Sequence, residues 1–197
     1  MTIDPQPVDA ESGDPRFEPP QLRNALRQTS STLKAAGIPF ALAGGYALWA
    51  HGAPEPEHDV DLVVAEDEVA AAAACLSAAG LEVVRPPEDW LFKVYVDEAL
   101  VDVLHRLQGV PVDAALIEQA DEHELLGIRL PVLPATDIVI PKLLALSEHY
   151  CDFSRPLAMV RAVREQLDWD RIRTETRGRP FAECFLFLLE RLAIAPG

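Results

Sequence analysis

The segment from residue 58 to residue 64 constrains the fold most, because it places two acidic residues inside a hydrophobic run. It reads His-Asp-Val-Asp-Leu-Val-Val, with Asp59 and Asp61 separated by one residue. Side chains alternate across a β-strand, so residues i and i+2 lie on the same face. We therefore predict a strand with both aspartates on one face and its aliphatic side chains packed into a core on the other. Two carboxylates on one face repel each other unless a cation lies between them, and a hard ion such as Mg²⁺ suits such a pair.

A glycine pair, Gly44-Gly45, lies between this segment and a short apolar stretch at residues 39–43. The pattern predicts a buried strand, a turn at the glycines, and a helix from about residue 46 to about residue 52. Glycines let the backbone approach a phosphate group closely, and the N-terminus of the following helix offers N–H groups and a positive dipole. We interpret the pair as a phosphate-binding turn; an ordinary sharp turn is the alternative.

Two further charged residues lie in apolar surroundings. Asp102 lies in the segment Ala-Leu-Val-Asp-Val-Leu at residues 99–104, where an acid is costly unless it is paired or bound to metal. If this strand lies beside the strand of Asp59 and Asp61, Asp102 completes a carboxylate triad. A solvent-facing residue of an amphipathic strand is the alternative.

Lys142, one of only three lysines, lies in an apolar helical stretch. A cation there either extends to water or reaches an anionic ligand. Asp152, ten residues further along, is placed to pair with Lys142 or to position it. An ordinary salt bridge between helices is the alternative.

The periodicity of the whole chain predicts an α+β fold, with a small mixed β-sheet core flanked by helices and followed by a C-terminal helical bundle. We expect a proline-rich flexible arm over residues 1–19, the core over 20–133 and the helical domain over 134–197. Within the core we predict a helix at 20–36, strands at 90–96 and 100–105, a short helix over 113–126, and an edge strand at 128–133. The edge position follows from Pro131, which is costly in a central strand. Helices are predicted at 135–150, 155–166, 169–175 and 181–192.

The charge distribution bears on the choice of partner. The net charge of −15 argues against a nucleic-acid partner, because phosphate contacts require Lys and Arg. Eight of the fourteen arginines, however, lie between residues 155 and 191, where six acids accompany them. A local basic face there can bind RNA; solvated arginines on amphipathic helices are the alternative.

The cysteines and the hydropathy indicate the compartment. The three cysteines are odd in number and widely spaced, which favours a reducing cytoplasm. No cysteine pair and no Cys–His pair has the spacing of zinc ligands, so we expect no zinc site. No apolar run reaches the length of a membrane-spanning helix, so we expect a cytoplasmic protein without a membrane partner.

The glycine pair and the three aspartates together resemble the signature of the nucleotidyltransferase superfamily typified by DNA polymerase β. That signature is a Gly-Gly or Gly-Ser turn, a spacer, Asp-x-Asp on a strand and a third acid on a later strand. The helical tail resembles that of bacterial toxin nucleotidyltransferases of the AbiEii and MenT type. The matching stretches are residues 135–138, 142–146, 151–153, 167–169 and 181–192, and the resemblance covers about residues 22–194.

The resemblance implies an Mg²⁺-dependent enzyme that transfers a nucleoside monophosphate from an NTP, with CTP or UTP favoured, and releases pyrophosphate. The implied acceptor is the 3′ end of tRNA, bound through the arginine-rich C-terminal helices. Such a toxin blocks translation, and a cognate antitoxin protein restrains it.

The same resemblance implies residue roles. Asp59 and Asp61 hold the metal and the triphosphate, and Asp102 serves as the third metal-site carboxylate that deprotonates or orients the attacking hydroxyl. Gly44 and Gly45 contact the phosphates. Lys142 and Asp152 bind the nucleotide, and Lys142 also has a catalytic role.

The chain departs from the family pattern at three places, which leaves two other interpretations open. Gly45 stands where many relatives have Ser, residues 55–58 replace an Arg and Thr that often precede the Asp-x-Asp, and Cys151 replaces a common Arg. A nucleotidyltransferase acting on a small molecule such as an aminoglycoside, or on a protein hydroxyl, is one alternative, and an acidic surface favours cationic drugs. A non-catalytic domain that retains the fold and binds a nucleotide or a partner is the other.

Overall fold

The computed structural model describes residues 19–197. The predicted N-terminal arm therefore lies outside the described residues, apart from Pro19, which begins the first helix. In the described part the α-helices are α1 (Pro19–Ala35), α2 (Gly44–Ala50), α3 (Val69–Ala78), α4 (Ala114–Glu118), α5 (Ala135–Leu144), α6 (Ser154–Val163), α7 (Trp169–Glu175) and α8 (Pro180–Arg191). The strands are β1 (Phe40–Ala43), β2 (Val60–Val64), β3 (Glu82–Val84), β4 (Leu91–Val96), β5 (Ala99–Leu104), β6 (Arg106–Leu107), β7 (Val110–Pro111), β8 (Asp121–Leu125) and β9 (Ile128–Val132). Short 3₁₀ turns at Glu66–Glu68 and Arg164–Gln166 flank α3 and α6.

A mixed sheet of seven strands organises the fold, in the order β3-β4-β5-β2-β1-β9-β8. β2 runs parallel to β5 and antiparallel to β1, and β9 runs parallel to β1. The two outer pairs, β3 with β4 and β8 with β9, are antiparallel hairpins. The helices α5–α8 follow the last strand, so the predicted α+β class is confirmed.

The hydrophobic core lies on both faces of this sheet. On one face α1 packs against β4, β5 and α3, because Leu22, Leu26 and Leu33 recur at helical spacing and are fully buried. Each such leucine contributes about 1.5–3 kcal/mol through burial. Helix α2 contacts β1, β2 and α5.

Two predictions within the core were wrong. Residues 121–125 form strand β8 rather than part of a helix, because they pair with β9 across a two-residue turn in which Leu126 and Gly127 both have positive φ. Strand β9 is not an edge strand, since it lies between β1 and β8. Its Pro131 is tolerated there because β9 pairs with β1 at a single register position, Leu42 with Val132.

The C-terminal helices agree with the sequence pattern in position. The helix predicted at 135–150 ends earlier, at Leu144, and a short bridge between Ser147 and Tyr150 follows it. Among the described residues, none of the helices combines the length and the apolar character needed to cross a bilayer.

Candidate active site

Three carboxylates meet where β2 and β5 lie side by side. Asp61 on β2 pairs in parallel register with Asp102 on β5, so both side chains lie on the same face of the sheet. The sequence pattern predicts Asp59 within the strand, but Asp59 lies one residue before the start of β2. One carboxylate oxygen from each of the three residues lies within 4.8 Å of the others. The structure therefore brings together all three acids that the sequence singled out.

The glycine pair packs directly against this cluster. Helix α2 begins at Gly44, two residues earlier than predicted, and Gly44 has a φ of +57°. A Cβ atom on Gly44 would overlap the carboxylate of Asp61, so both the space and the left-handed backbone require glycine here. The backbone N–H of Gly45 donates a hydrogen bond to Asp61. The turn thus holds the Asp61 carboxylate as well as opening space beside it.

The surroundings of Asp61 disfavour its ionised form. Burial, together with the charges of Asp59 and Asp102, raises the pKa of Asp61 to about 7, while Lys142 and the Gly45 N–H oppose the shift. A carboxylate in such a place is stabilised by an additional positive charge.

Two lysines flank the carboxylates. Lys142 on α5 lies close enough to Asp61 to stabilise its charge. Lys93 on β4 lies directly opposite Asp102, with 3.5 Å between Nζ and a carboxylate oxygen. Sequence reasoning missed Lys93, although the short connection between the strands predicted at 90–96 and 100–105 favours a hairpin whose register pairs residue 93 with residue 102.

Lys142 lines two depressions in the surface. The larger is a groove of about 670 Å³ that contains Asp59 and Asp152, and its lining includes Gly45, Pro56, His58, Lys142, Tyr150 and Arg155. The smaller is an apolar pocket of about 180 Å³ between Gly44, Asp61 and α5. Asp152 accepts hydrogen bonds from the backbone N–H and hydroxyl of Ser154, at 2.9 and 2.7 Å, which lowers its pKa. Asp152 therefore shares the groove with Lys142 and is held by hydrogen bonds from Ser154, the first residue of α6.

An ion-pair network supports the loop that carries Asp59. Arg23 donates two hydrogen bonds to Glu55, at 2.7 and 2.5 Å, and its guanidinium lies 5.5 Å from the centre of the Trp49 ring. The hydroxyl of Tyr46 also donates to Glu55, at 3.3 Å. Arg23 lowers the pKa of Glu55, so this carboxylate stays ionised. The network connects α1 and α2 to the residues that precede the aspartates.

Two of the departures from the family pattern are connected in space. A Cβ atom on Gly45 would lie 2.9 Å from the Cβ of Pro56, closer than carbon atoms normally approach. A serine at position 45 would therefore collide with the segment that replaces the usual Arg and Thr. Next to it, both ring nitrogens of His58 are buried and, among the described residues, lack a hydrogen-bond partner. His58 also lines the large groove.

The donor set fits a hard divalent cation. Three carboxylate oxygens at this separation match the oxygen-only coordination that Mg²⁺ or Mn²⁺ prefers. The pKa of Asp61 is raised because its ionised form is poorly stabilised, and a bound cation would stabilise that form.

A carboxylate triad beside a glycine turn on a mixed sheet is the arrangement that defines nucleotidyltransferases. The family described as "Nucleotidyl transferase of unknown function (DUF2204)" matches residues 22–192, and the chain belongs to it. The match covers every site residue described above. No curated protein matches the sequence at a significant level.

Solved structures with the same fold share little sequence identity with this chain. A candidate nucleotidyltransferase from Thermotoga maritima is 20% identical, with a TM-score of 0.52 over 65% of this chain and 86% of that one. ANT(2″)-Ia, solved with adenylyl-2″-tobramycin, is 14% identical, with a TM-score of 0.56 over 84% and 97%. An antigenic nucleotidyltransferase-like protein from Paracoccidioides brasiliensis is 14% identical, with a TM-score of 0.53 over 90% and 91%. These structures share the fold of this chain.

Proposed function

We propose that the protein is a cytoplasmic toxin that uses Mg²⁺ to transfer a nucleoside monophosphate from CTP or UTP to the 3′ end of tRNA. The observation that carries the enzymatic part is the convergence of Asp59, Asp61 and Asp102 beside the Gly44-Gly45 turn. We assign residues 20–133 to the catalytic core and residues 134–197 to a helical domain that supplies Lys142 and Asp152.

The proposed reaction forms one bond and breaks one. The terminal hydroxyl of the acceptor attacks the α-phosphorus, a new P–O bond forms, and the α–β bridging P–O bond breaks to release pyrophosphate. Asp59, Asp61 and Asp102 would hold a divalent cation, which would supply Lewis-acid stabilisation of the charge that develops on the phosphate oxygens. Asp102 accepts or orients the hydroxyl proton, and Lys142 offsets charge on the triphosphate. Gly44 and Gly45 let the phosphates approach the backbone.

The C-terminal helices support an RNA acceptor. Of the eight arginines between residues 155 and 191, three (Arg164, Arg171 and Arg173) form ion pairs with acids. The other five are exposed and have no ion pair among the described residues; they are Arg155, Arg161, Arg177, Arg179 and Arg191. Arg155 also lines the groove that contains Asp59. Exposed arginines suit a phosphate backbone, and Arg155 at the groove also suits a triphosphate.

The toxin role, the pyrimidine preference and a cognate antitoxin follow from the resemblance of the tail to toxin nucleotidyltransferases. The test incubates the protein with each α-labelled NTP, Mg²⁺ and total tRNA, beside an Asp59→Asn variant. We expect label on tRNA, from CTP or UTP most strongly, and none with the variant. Expression of the wild type alone should arrest growth. Absence of label from tRNA with all four NTPs would refute the tRNA assignment.

A small-molecule acceptor is the second candidate. The net charge of −15 favours a cationic acceptor, and the ANT(2″)-Ia structure with the same fold contains an adenylylated aminoglycoside. Tobramycin replaces tRNA in the same assay. Label on tobramycin, with none on RNA, would support this candidate instead.

A further inference from the structure

The outer half of the sheet presents one partly open face beside the carboxylates. Along β4 and β5 burial alternates, with Val94, Val101 and Val103 fully buried on the face that α1 covers. The residues between them are only partly buried and lie on the face of the triad; they are Lys93, Tyr95, Leu100, Asp102 and Leu104. Tyr95 lies directly opposite Leu100, one register step further along the hairpin on this face than the pair of Lys93 and Asp102. An aromatic ring, an aliphatic side chain and a cation thus form a surface continuous with Asp102, which we call the outer platform (Lys93, Tyr95 and Leu100).

The outer platform is separate from the large groove. None of its three residues lines that groove, whose residues come from the start of α2, the loop before β2, α5, α6 and the segment between α5 and α6. The triad therefore has a surface on each of two sides. If the triphosphate lies against Gly45, Lys142 and Asp152, the attacking hydroxyl must approach Asp102 from the other side, because attack and departure are in line.

The charge next to Asp102 selects among acceptors. Lys93 lies 3.5 Å from an Asp102 oxygen and is partly exposed, so an acceptor that reaches Asp102 meets an ammonium group first. A polycationic amine is repelled there, whereas a phosphate is attracted. Glu82, opposite Tyr95, is the acid at the far edge of the same face. The ring of Tyr95 offers a stacking surface for a base.

We infer that the outer platform binds the terminal nucleotide of an RNA acceptor, with the base on Tyr95 and Leu100 and its phosphate at Lys93. This inference rests on the proposed function and assigns the acceptor side of that same site. Lys93 is then a specificity-determining residue that favours a nucleic-acid end over a cationic drug.

Equilibrium binding of total tRNA, measured without NTP at fixed Mg²⁺ over a range of KCl, tests the inference apart from catalysis. We expect Lys93→Met to weaken binding about three- to tenfold and to reduce the slope of log K against log salt by about 1, since one phosphate contact is lost. Tyr95→Leu should weaken binding about tenfold and leave the slope unchanged, because stacking is not ionic. Lys34→Met is the matched control, since Lys34 donates to the carbonyl of Arg129 at the far end of α1. It should bind as the wild type does, and thermal unfolding verifies that all variants fold.

The outcomes separate the two proposals. A raised KM for tRNA in Lys93→Met and Tyr95→Leu, with the KM for NTP within about twofold, supports the platform. If the wild type labels tRNA and both variants keep its KM and salt slope, the platform is wrong and the proposed function stands. If tobramycin, and not tRNA, binds and Lys93→Met tightens that binding, the RNA acceptor fails and the site serves a cationic substrate.

Discussion

At the scale of single residues, Asp61 shows why the site is stabilised by a cation. Its carboxylate is enclosed by Gly44 and lies beside two other acids, so its ionised form is disfavoured in the folded protein. The unfolded chain has no such penalty. The site therefore stabilises the folded protein least at the pH where the acids are ionised and metal is absent.

The pH dependence of stability reports this directly. The pKa of Asp61 rises from the ordinary value of 3.8 to about 7 on folding. A raised folded pKa means a contribution to stability that is complete below pH 4 and is lost as the pH rises through about 7. We expect Asp61→Asn to flatten the decline in stability between pH 4 and pH 8, because the amide is neutral throughout. Urea unfolding in EDTA at several pH values measures the free energy of unfolding of both proteins. If stability declines as steeply with pH in the variant as in the wild type, the raised pKa does not belong to Asp61.

Gly45 and Pro56 make a second test at this scale. Gly45→Ala should lower the free energy of unfolding by about 1–3 kcal/mol, because the new Cβ lies against Pro56 in a packed site. Pro56→Ala should recover part of that loss, since Ala lacks the Cγ atom that also crowds the position. A double-mutant cycle measures the coupling; strictly additive effects would show that the two positions do not interact.

At the scale of secondary structure, α5 carries Lys142 to the site, and α7 holds α5 in place. Arg171 on α7 pairs with Asp137 on α5 at 2.5 Å, and the Asp137 side chain is only 6% exposed. The hydroxyl of Thr136 accepts a hydrogen bond from the backbone N–H of Asp168 at 2.9 Å. These contacts fix the start of α5, and with it the direction in which Lys142 points.

Substitution of Arg171 measures how much its ion pair with Asp137 stabilises the fold. Arg171→Met is expected to lower the free energy of unfolding by about 1–3 kcal/mol, because a nearly buried carboxylate loses its charged partner. The matched control is Arg164→Met, whose ion pair with Glu165 is exposed on both sides and should change stability by less than about 0.5 kcal/mol. Urea denaturation compares the two. Equal effects would mean that the pair at Asp137 is no more than a surface contact.

The elements differ in how far the sequence predicts them. β2, β5 and the four tail helices were predicted because apolar periodicity and glycine or proline boundaries agree there. β8 was missed because its Asp-Glu-His-Glu pattern carries no apolar face, and its strand character comes from pairing with β9. The ion pair of Arg171 with Asp137 was also missed, since a partner 34 residues away leaves no local signal. Asp102 was found because an acid between valines is costly enough to demand an explanation.

At the scale of the whole molecule, charge acts at two ranges. The net charge of −15 repels anions and is screened by any salt. The triad acts locally and requires a cation that accepts three oxygen ligands at short distance. A phosphate-bearing substrate therefore depends on local positive charge from Lys142, the tail arginines and the bound cation to approach an acidic protein.

Salt and divalent cations together distinguish the long-range effect of the net charge from the local effect of the triad. Raising NaCl should stabilise the wild type and an Asp59→Asn/Asp102→Asn variant alike, because screening acts on the whole surface. Mg²⁺ or Mn²⁺ at matched ionic strength should raise the Tm of the wild type further, by about 5–10 °C at a concentration a hundredfold above Kd. The variant should lack this second increment, because it has lost two of the three ligands. Differential scanning calorimetry with EDTA as the baseline measures both effects. An equal response of the two proteins to Mg²⁺ would place the cation on the general surface and would remove the triad from the proposed chemistry.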